Sequence, residues 1–392
     1  MLLTPIPNEI YLEIFKYLRP LDPQAWISSC TRKYYCGIAL VCRFFSATML
    51  PWIFENLTFG GIGRSKNASA SSTSKFCRSV LNGDPTTLLL AKHVKRCAFK
   101  DWGITTAGNW ANAQIMSLYC DAMAFMPNLC EVDLKEAPIT KFFLKKCPKL
   151  SALRKLSLQK GGMDEDIPDK YLRRFSSLQL EDLDIGEYQH TFSVAALLPY
   201  VNPERLRHFK AKQCCFITKI PQDTAFHSLE DLEIHNIQDV HAFRAVLENA
   251  PVLKRLHIAS IRLSAFMQSF EPTVLPMLTD LRAPCYISSN LVPGRPISSL
   301  AISYLSEGFL DMPMVLRDAI TFSKSTQPIR RMCIPLHFYK SGPFWEHFPE
   351  LRILHLDVAA DQSNYFSIEL SNSATINEVC LLIHSPKLSS PY

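Results

Sequence analysis

A short alternation of apolar and polar positions returns along most of the chain. An apolar residue is followed by two variable residues, a second apolar residue, one variable residue and a third apolar residue. The pattern occurs at Val94/Cys97/Phe99, Leu129/Val132/Leu134, Leu153/Leu156/Leu158, Leu180/Leu183/Ile185, Leu206/Phe209/Ala211, Leu229/Leu232/Ile234, Leu253/Leu256/Ile258 and Leu278/Leu281/Ala283. Weaker copies follow at Ile297/Leu300/Ile302, Ile329/Met332/Ile334, Leu351/Leu354/Leu356 and Ile376/Val379/Leu381. The last two anchors of each copy are two residues apart, the period of a strand with one buried face. From Leu134 to Ala283 the third anchors are spaced 24, 27, 26, 23, 24 and 25 residues apart. Helix-like runs lie between the strand signals, as at 114–125, 194–200 and 241–249, and Pro127, Pro148, Pro203, Pro251, Pro276 and Pro349 mark returns to the next strand. One such unit cannot bury its apolar face alone, so neighbours must stack.

Residues 1–59 follow another pattern. Pro7, Asn8 and Glu9 open a helical run to Leu18, with proline suited to the first turn and glutamate to the positive helix end. Ile10, Ile14 and Leu18 form one apolar row, and Tyr11 and Phe15 form a second beside it. That stripe is wider than one buried face requires. Apolar runs at 37–45 and 51–57 follow. A unit this small buries little core, so the surplus apolar surface points to a second protein surface, or else to packing on the next domain.

Taken in order, Ile6-Pro7-x-Glu9-Ile10, Ile14-Phe15 and Leu18, then Leu40-Val41-Cys42-Arg43-x-Phe45, then Pro51-Trp52-x-Phe54 and Leu57 resemble an F-box, and especially those of F-box proteins numerous in mushroom-forming fungi. The resemblance implies three helices that dock on a Skp-type linker, itself held by a cullin-based ubiquitin ligase scaffold. It implies that Pro7, Ile10, Ile14, Leu18, Val41, Cys42 and Trp52 meet the linker or frame that contact. Residues 19–36 depart from the family spacing and read as a loop insertion. The repeats resemble degenerate leucine-rich repeats, whose period is about 20–29 residues. The usual Asn or Cys three residues after the third anchor is mostly missing: Cys214 stands there once, but Ala137, Gly161, Ile237 and Ile261 elsewhere. The expected architecture is therefore α/β, with an F-box over 1–59, a Ser/Gly-rich basic linker over 60–87, and a leucine-rich-repeat domain over 88–392 with parallel strands on its concave face.

The residues between the anchors alternate onto that face. They are Glu131/Asp133, Lys155/Ser157, Asp182/Asp184, His208/Lys210, Asp231/Glu233 and Arg255/His257, then Asp280/Arg282, Ser299/Ala301, Arg331/Cys333 and Ile353/His355. Parallel register sets Asp184 beside Lys210 and Lys210 beside Glu233. One reading is a self-compensating ladder that supports stacking. The other is a polar surface for a protein substrate, on which Asp184, Lys210, Glu233, His257, Arg282, Arg331 and His355 are the candidate contacts. The less charged C-terminal half is the expected docking region. Alternating signs disfavour nucleic acid, which needs a coherent basic field.

Charge and chemistry narrow the picture further. The net charge of +6 resides in residues 61–100, which carry eight lysines and arginines against one aspartate; the rest of the chain is nearly balanced. The uncharged run 103–120 is too polar for a membrane span. Thirteen cysteines without a CxxC pair, behind an N-terminus unlike a signal peptide, read as reduced core thiols in the cytosol or nucleus. No HExxH or GxSxG occurs. The acidic cluster Asp164-Glu165-Asp166 reads as a solvated turn. No catalytic residue, metal ligand or cofactor is expected. The expected activity is that of a non-enzymatic substrate adaptor in a ubiquitin ligase, with an interaction scaffold outside any ligase as the alternative.

Overall fold

The computed structural model describes residues 7–18, 29–60, 69–100, 102, 110–163, 167–186, 194–212, 218–221, 223–237, 239–261, 270–303, 312–335, 339, 344–359 and 378–384. It divides into two units, Met1–Leu156 and Ser157–Tyr392.

The first unit begins with α1 (Asn8–Leu18), α2 (Ser29–Ala39) and α3 (Arg43–Glu55). Phe15, Tyr35, Met49 and Ile53 bury one side chain cluster from all three helices, and Tyr11, Leu18, Phe45 and Trp52 pack around it. Tyr11 and Phe15 meet the Phe45 ring edge-on at 5.1 and 5.0 Å, and the Tyr35 hydroxyl donates to the Leu18 carbonyl, tying the end of α1 to α2. The apolar run 37–45 spans the end of α2 and the start of α3. Gly37 weakens the last turn of α2, and Cys42 is extended (φ −158°) with its sulfur accepting from the Phe45 amide, so a new helix starts there. The second half of the expected insertion is α2, because burial of Tyr35 fixes it to the core.

Strands β1 (Asn56–Gly60), β2 (Arg96–Lys100) and β3 (Glu131–Lys135) pair in parallel, placing Leu57, Cys97 and Val132 in one row. β1 was not expected as a strand. Phe54, Leu57 and Phe59 carry the anchor spacing, but the next copy is too far along the chain to keep the period. The interval holds α4 (Ser69–Leu81) and α5 (Pro85–Ala91). The linker reading therefore fails over 69–87. Serine-rich composition hid the stripe of Ser74, Cys77 and Val80, all buried in α4, and the Asp84 carboxylate caps α5 by accepting from the Thr87 amide at 2.8 Å. Residues 61–68 lie outside the described residues. Two cations of the basic segment are also neutralised from outside it, with Lys95 at 3.3 Å from Glu55 and Arg96 at 2.7 Å from Glu131. Helices α6 (Trp110–Met123) and α7 (Lys141–Lys146) complete the unit. The Tyr119 ring of α6 stacks on Phe59 at 4.5 Å.

The chain enters the second unit within β4 (Lys155–Gln159). Beyond it, β5 (Asp182–Ile185), β6 (His208–Ala211), β7 (Asp231–Ile237), β8 (Arg255–Ile261), β9 (Asp280–Pro284), β10 (Ser299–Ser303), β11 (Arg331–Pro335), β12 (Ile353–Ala359) and β13 (Glu378–His384) pair in parallel, each with the next in sequence. The middle anchors Leu183, Phe209, Leu232, Leu256, Leu281, Leu300, Met332 and Leu354 form one unbroken buried row. Each such side chain is worth about 1.5–3 kcal/mol on burial, so the register is held strand by strand. The intervals contain α8 (Asp169–Leu172), α9 (Val240–Glu248), α10 (Cys285–Leu291) and α11 (Met312–Phe322). The expected helix over 194–200 is broken: 194–195 are helical, a turn follows, and Leu198–Tyr200 form a short 3-10 segment with Pro199 in its first turn.

The missing Asn/Cys positions have a structural explanation. Ala137 and Ile237 are buried there and fill with hydrocarbon what a polar side chain would otherwise bridge, and Gly161 is buried with no side chain to offer. Cys214 and the 164–166 cluster lie outside the described residues. The turn into β10 is instead organised by Arg295, which is 0% exposed. Its guanidinium donates to the carbonyls of Val274 (2.7 Å), Glu271 (2.7 Å), Leu291 (2.8 Å) and Pro293 (3.2 Å). Neighbouring Gly294 has φ +75°, and a Cβ there would stand 2.9 Å from Pro272. Only glycine lets this turn close.

Candidate functional site

Two surfaces carry the candidate residues, one in each unit. On the first unit, α1 divides by helical period. Tyr11, Phe15 and Leu18 face the cluster, while Ile10 and Ile14, one turn apart, remain 50% and 47% exposed. Val41, in the turn before α3, is 69% exposed; Pro7 and Cys42 are exposed as well. Leu18 and Trp52 pack against the core and frame the surface instead of forming it. Leu12 and Tyr17, outside the motif, and Leu40, within it but not among the implied contacts, add exposed apolar area. The described residues thus group exposed apolar side chains on one small module. Cys36 and Cys42 are solvent-exposed, so not every cysteine is a core thiol; Cys77, Cys97, Cys120, Cys147 and Cys285 are buried thiols outside any disulfide.

On the second unit the candidates fall in register on the strand face opposite the anchors. Asp184, Lys210, Glu233, His257 and Arg282 are neighbours in one row. Arg331 belongs to the adjacent row, opposite Ser299, and His355 lies beside Cys333. Adjacency does not give uniform pairing. Lys210 Nζ is 2.7 Å from the Glu233 carboxylate, His235 Nε2 is 2.6 Å from Glu233 Oε1, and His257 Nδ1 is 3.6 Å from the same oxygen. These groups, His235 foremost, hold the Glu233 carboxyl well below the usual carboxylate range against the opposing effect of burial. In the adjacent row Arg255 Nε is 3.0 Å from Asp231. His235 was missed as a partner, although its place two residues beyond Glu233 on one strand puts both on one face.

Asp184 differs. Its Oδ2 accepts from Gln159 Nε2 at 3.2 Å, but its Oδ1 is buried with no partner. Burial pushes its carboxyl above the ordinary value, only partly opposed by Lys210 and Gln159.

From β9 onward the same face has no ladder. Arg282 and Arg331 are exposed, and no described carboxylate lies within 4.0 Å of either guanidinium. Ser299 and Ala301 of β10 stand between them. Cys333 and His355 are half-buried. Burial, with Asp357 nearby, raises the Cys333 thiol, and His355 Nδ1 is buried without a partner.

Two further features were tested for chemistry. Cys285 Sγ donates to Asp318 Oδ2 at 3.0 Å and Ser289 Oγ to Asp318 Oδ1 at 2.8 Å. Burial and Asp318 push that thiol far up, so it is a latch between α10 and α11 and not a nucleophile. A cavity of about 390 Å³ beside β5 and β6 is walled by Leu183, Leu198, Leu206, Phe209 and Phe226, with Asp223 and Thr224 as its polar lining. Among the described residues there is no cluster of three metal-ligating side chains and no helix long and apolar enough to cross a membrane.

No family model matches the chain, and no curated protein matches it. Among solved structures it is similar to one described as "Crystal structure of Rad7 and Elc1 complex in yeast", over 92% of this chain and 98% of that one, at 13% identity and a TM-score of 0.39. At that identity and score the likeness transfers no function. The parallel strands recurring at a leucine-rich-repeat period stand on this chain's own register.

Proposed function

We propose that this chain is a non-enzymatic substrate adaptor of a cullin-based ubiquitin ligase, working in the cytosol or nucleus. The helical module α1–α3 docks on a Skp-type linker, and the strand face of the second unit holds a protein target. The observation that carries the reading is the pair Ile10 and Ile14. They sit at F-box motif positions, on the face of α1 turned away from its own core, and are about half exposed. Transfer of ubiquitin to a held target needs no side chain from the adaptor, because proximity supplies the effective concentration.

The test is co-purification of the full chain with a Skp-type linker. The wild type captures it. The double variant Ile10→Asp/Ile14→Asp reduces capture at least about tenfold, as loss of a desolvated apolar anchor pair does. Its circular dichroism and melting remain those of the wild type, since neither residue belongs to the buried cluster. Undiminished capture by the double variant, or none by the wild type, overturns the reading in favour of an interaction scaffold outside a ligase.

A further inference from the structure

We propose that the strand face around β9–β11 binds an acidic, extended peptide segment of the target protein, with Arg282 and Arg331 each receiving one of its carboxylates. The proposal rests on the adaptor reading for its biological setting and names the chemistry of that reading's target.

The contrast within one face supports it. On β6–β8 the cations Lys210 and Arg255 already spend donors on Glu233 and Asp231, so a visiting carboxylate there displaces an internal one and gains little. Among the described residues Arg282 and Arg331 hold no such internal pair. Each guanidinium offers five N–H donors in a planar fork suited to bidentate capture of a carboxylate. Both side chains rise from the exposed face, and β10 between them places the small residues Ser299, Ala301 and Ser303 on that side. The two arginine-bearing strands are thus about 10 Å apart across a floor of small side chains, at a spacing of about 4.8 Å per strand. A backbone can approach such a floor, and its side chains can reach both guanidiniums. The same face carries Asp280 and Asp357. Asp280 accepts from the Thr279 hydroxyl at 3.0 Å, and Asp357, two residues beyond His355 on β12 and paired in register with Pro335, is near the Cys333 thiol. They bound the cationic pair and favour a peptide with a few placed carboxylates over a uniformly acidic one.

The experiment uses the full chain and an immobilised positional library of extended peptides, about eight residues or roughly 27 Å long. Each position is fixed in turn as Glu, Gln, Lys or phosphoserine. Glu at one or two positions is enriched about tenfold or more over Gln, which is equal in shape and uncharged. The preference falls below about twofold in Arg282→Ala/Arg331→Ala, while Arg173→Ala, at the C-cap of α8 and ion-paired with Asp169, keeps it. Equal retention of Glu and Gln, or a preference untouched by the double variant, overturns the proposal. So does phosphoserine retained about tenfold better than Glu, which would assign the arginines to phosphate. Linker capture is read in parallel. A chain that captures the linker but shows no Glu preference sinks this proposal alone. One that keeps the Glu preference without capturing the linker sinks the adaptor reading alone.

Discussion

The strand face of the second unit is built in two ways. From β5 to β8, charged side chains answer one another across neighbouring strands, and Glu233 gathers Lys210, His235 and His257 around one carboxylate. From β9 to β12, the same structural positions hold Arg282, Ala301, Cys333 and His355, with no ion pair among them. The anchors below are equivalent, so backbone register does not create the difference. It comes from what each strand presents outward, and it separates a region with cross-strand ion pairs from one without them among the described residues. The second region is held from its connections instead, through the buried Arg295.

That contrast can be broken most severely at Arg295. Arg295→Met removes the donors of four backbone carbonyls in a buried turn and should cost about 3–4 kcal/mol, read as faster hydrogen exchange of β9 and β10 amides in the full chain. Loss confined to less than about 1 kcal/mol would mean that the turn is held by something else.

Glu233→Gln tests the paired region and should cost about 1–2 kcal/mol at neutral pH. The folded carboxyl is depressed, so its stabilisation is complete above the unfolded value of about 4.5 and is lost as pH falls through the folded value. Denaturation of wild type and variant should therefore converge on acidification. A gap independent of pH would exclude the ionised carboxylate as its source.

Asp184→Asn should act in the opposite direction. The raised folded carboxyl gives stability that is present below the unfolded value of 3.8 and lost as pH rises through the folded value. The variant should gain stability at pH 7, and the gain should vanish below pH 3.8. A loss at pH 7 would show that the ionised Asp184 is fully compensated by Lys210.

Much of the fold was legible because the strand signal is local. Leu, Ile and Phe at period two are buried wherever the chain stacks, and all twelve expected strands, from β2 to β13, lie on their anchors. β1 and α4 escaped for opposite reasons. Phe54, Leu57 and Phe59 carry the signal out of period, and Cys77 and Val80 sit in a serine-rich stretch whose composition speaks louder than its spacing. On α1 the wide stripe was legible, but not which half of it the module keeps. Tyr11 and Phe15 won the core because Phe45 meets both rings, leaving Ile10 and Ile14 outside.

The sequence by itself determined where strands form, which residues alternate onto the outer face, and that the face carries both signs of charge, since these follow from the two-residue period. Only the tertiary structure decided which charges are satisfied. Asp184 and Glu233 both neighbour Lys210 in register, yet Lys210 pairs with Glu233 while one oxygen of Asp184 is buried alone. Side-chain reach and burial set that outcome over a few ångströms, a scale that a one-dimensional pattern does not contain. The same holds for Arg295, whose four acceptors come from segments up to 24 residues away and converge only once the repeat has folded.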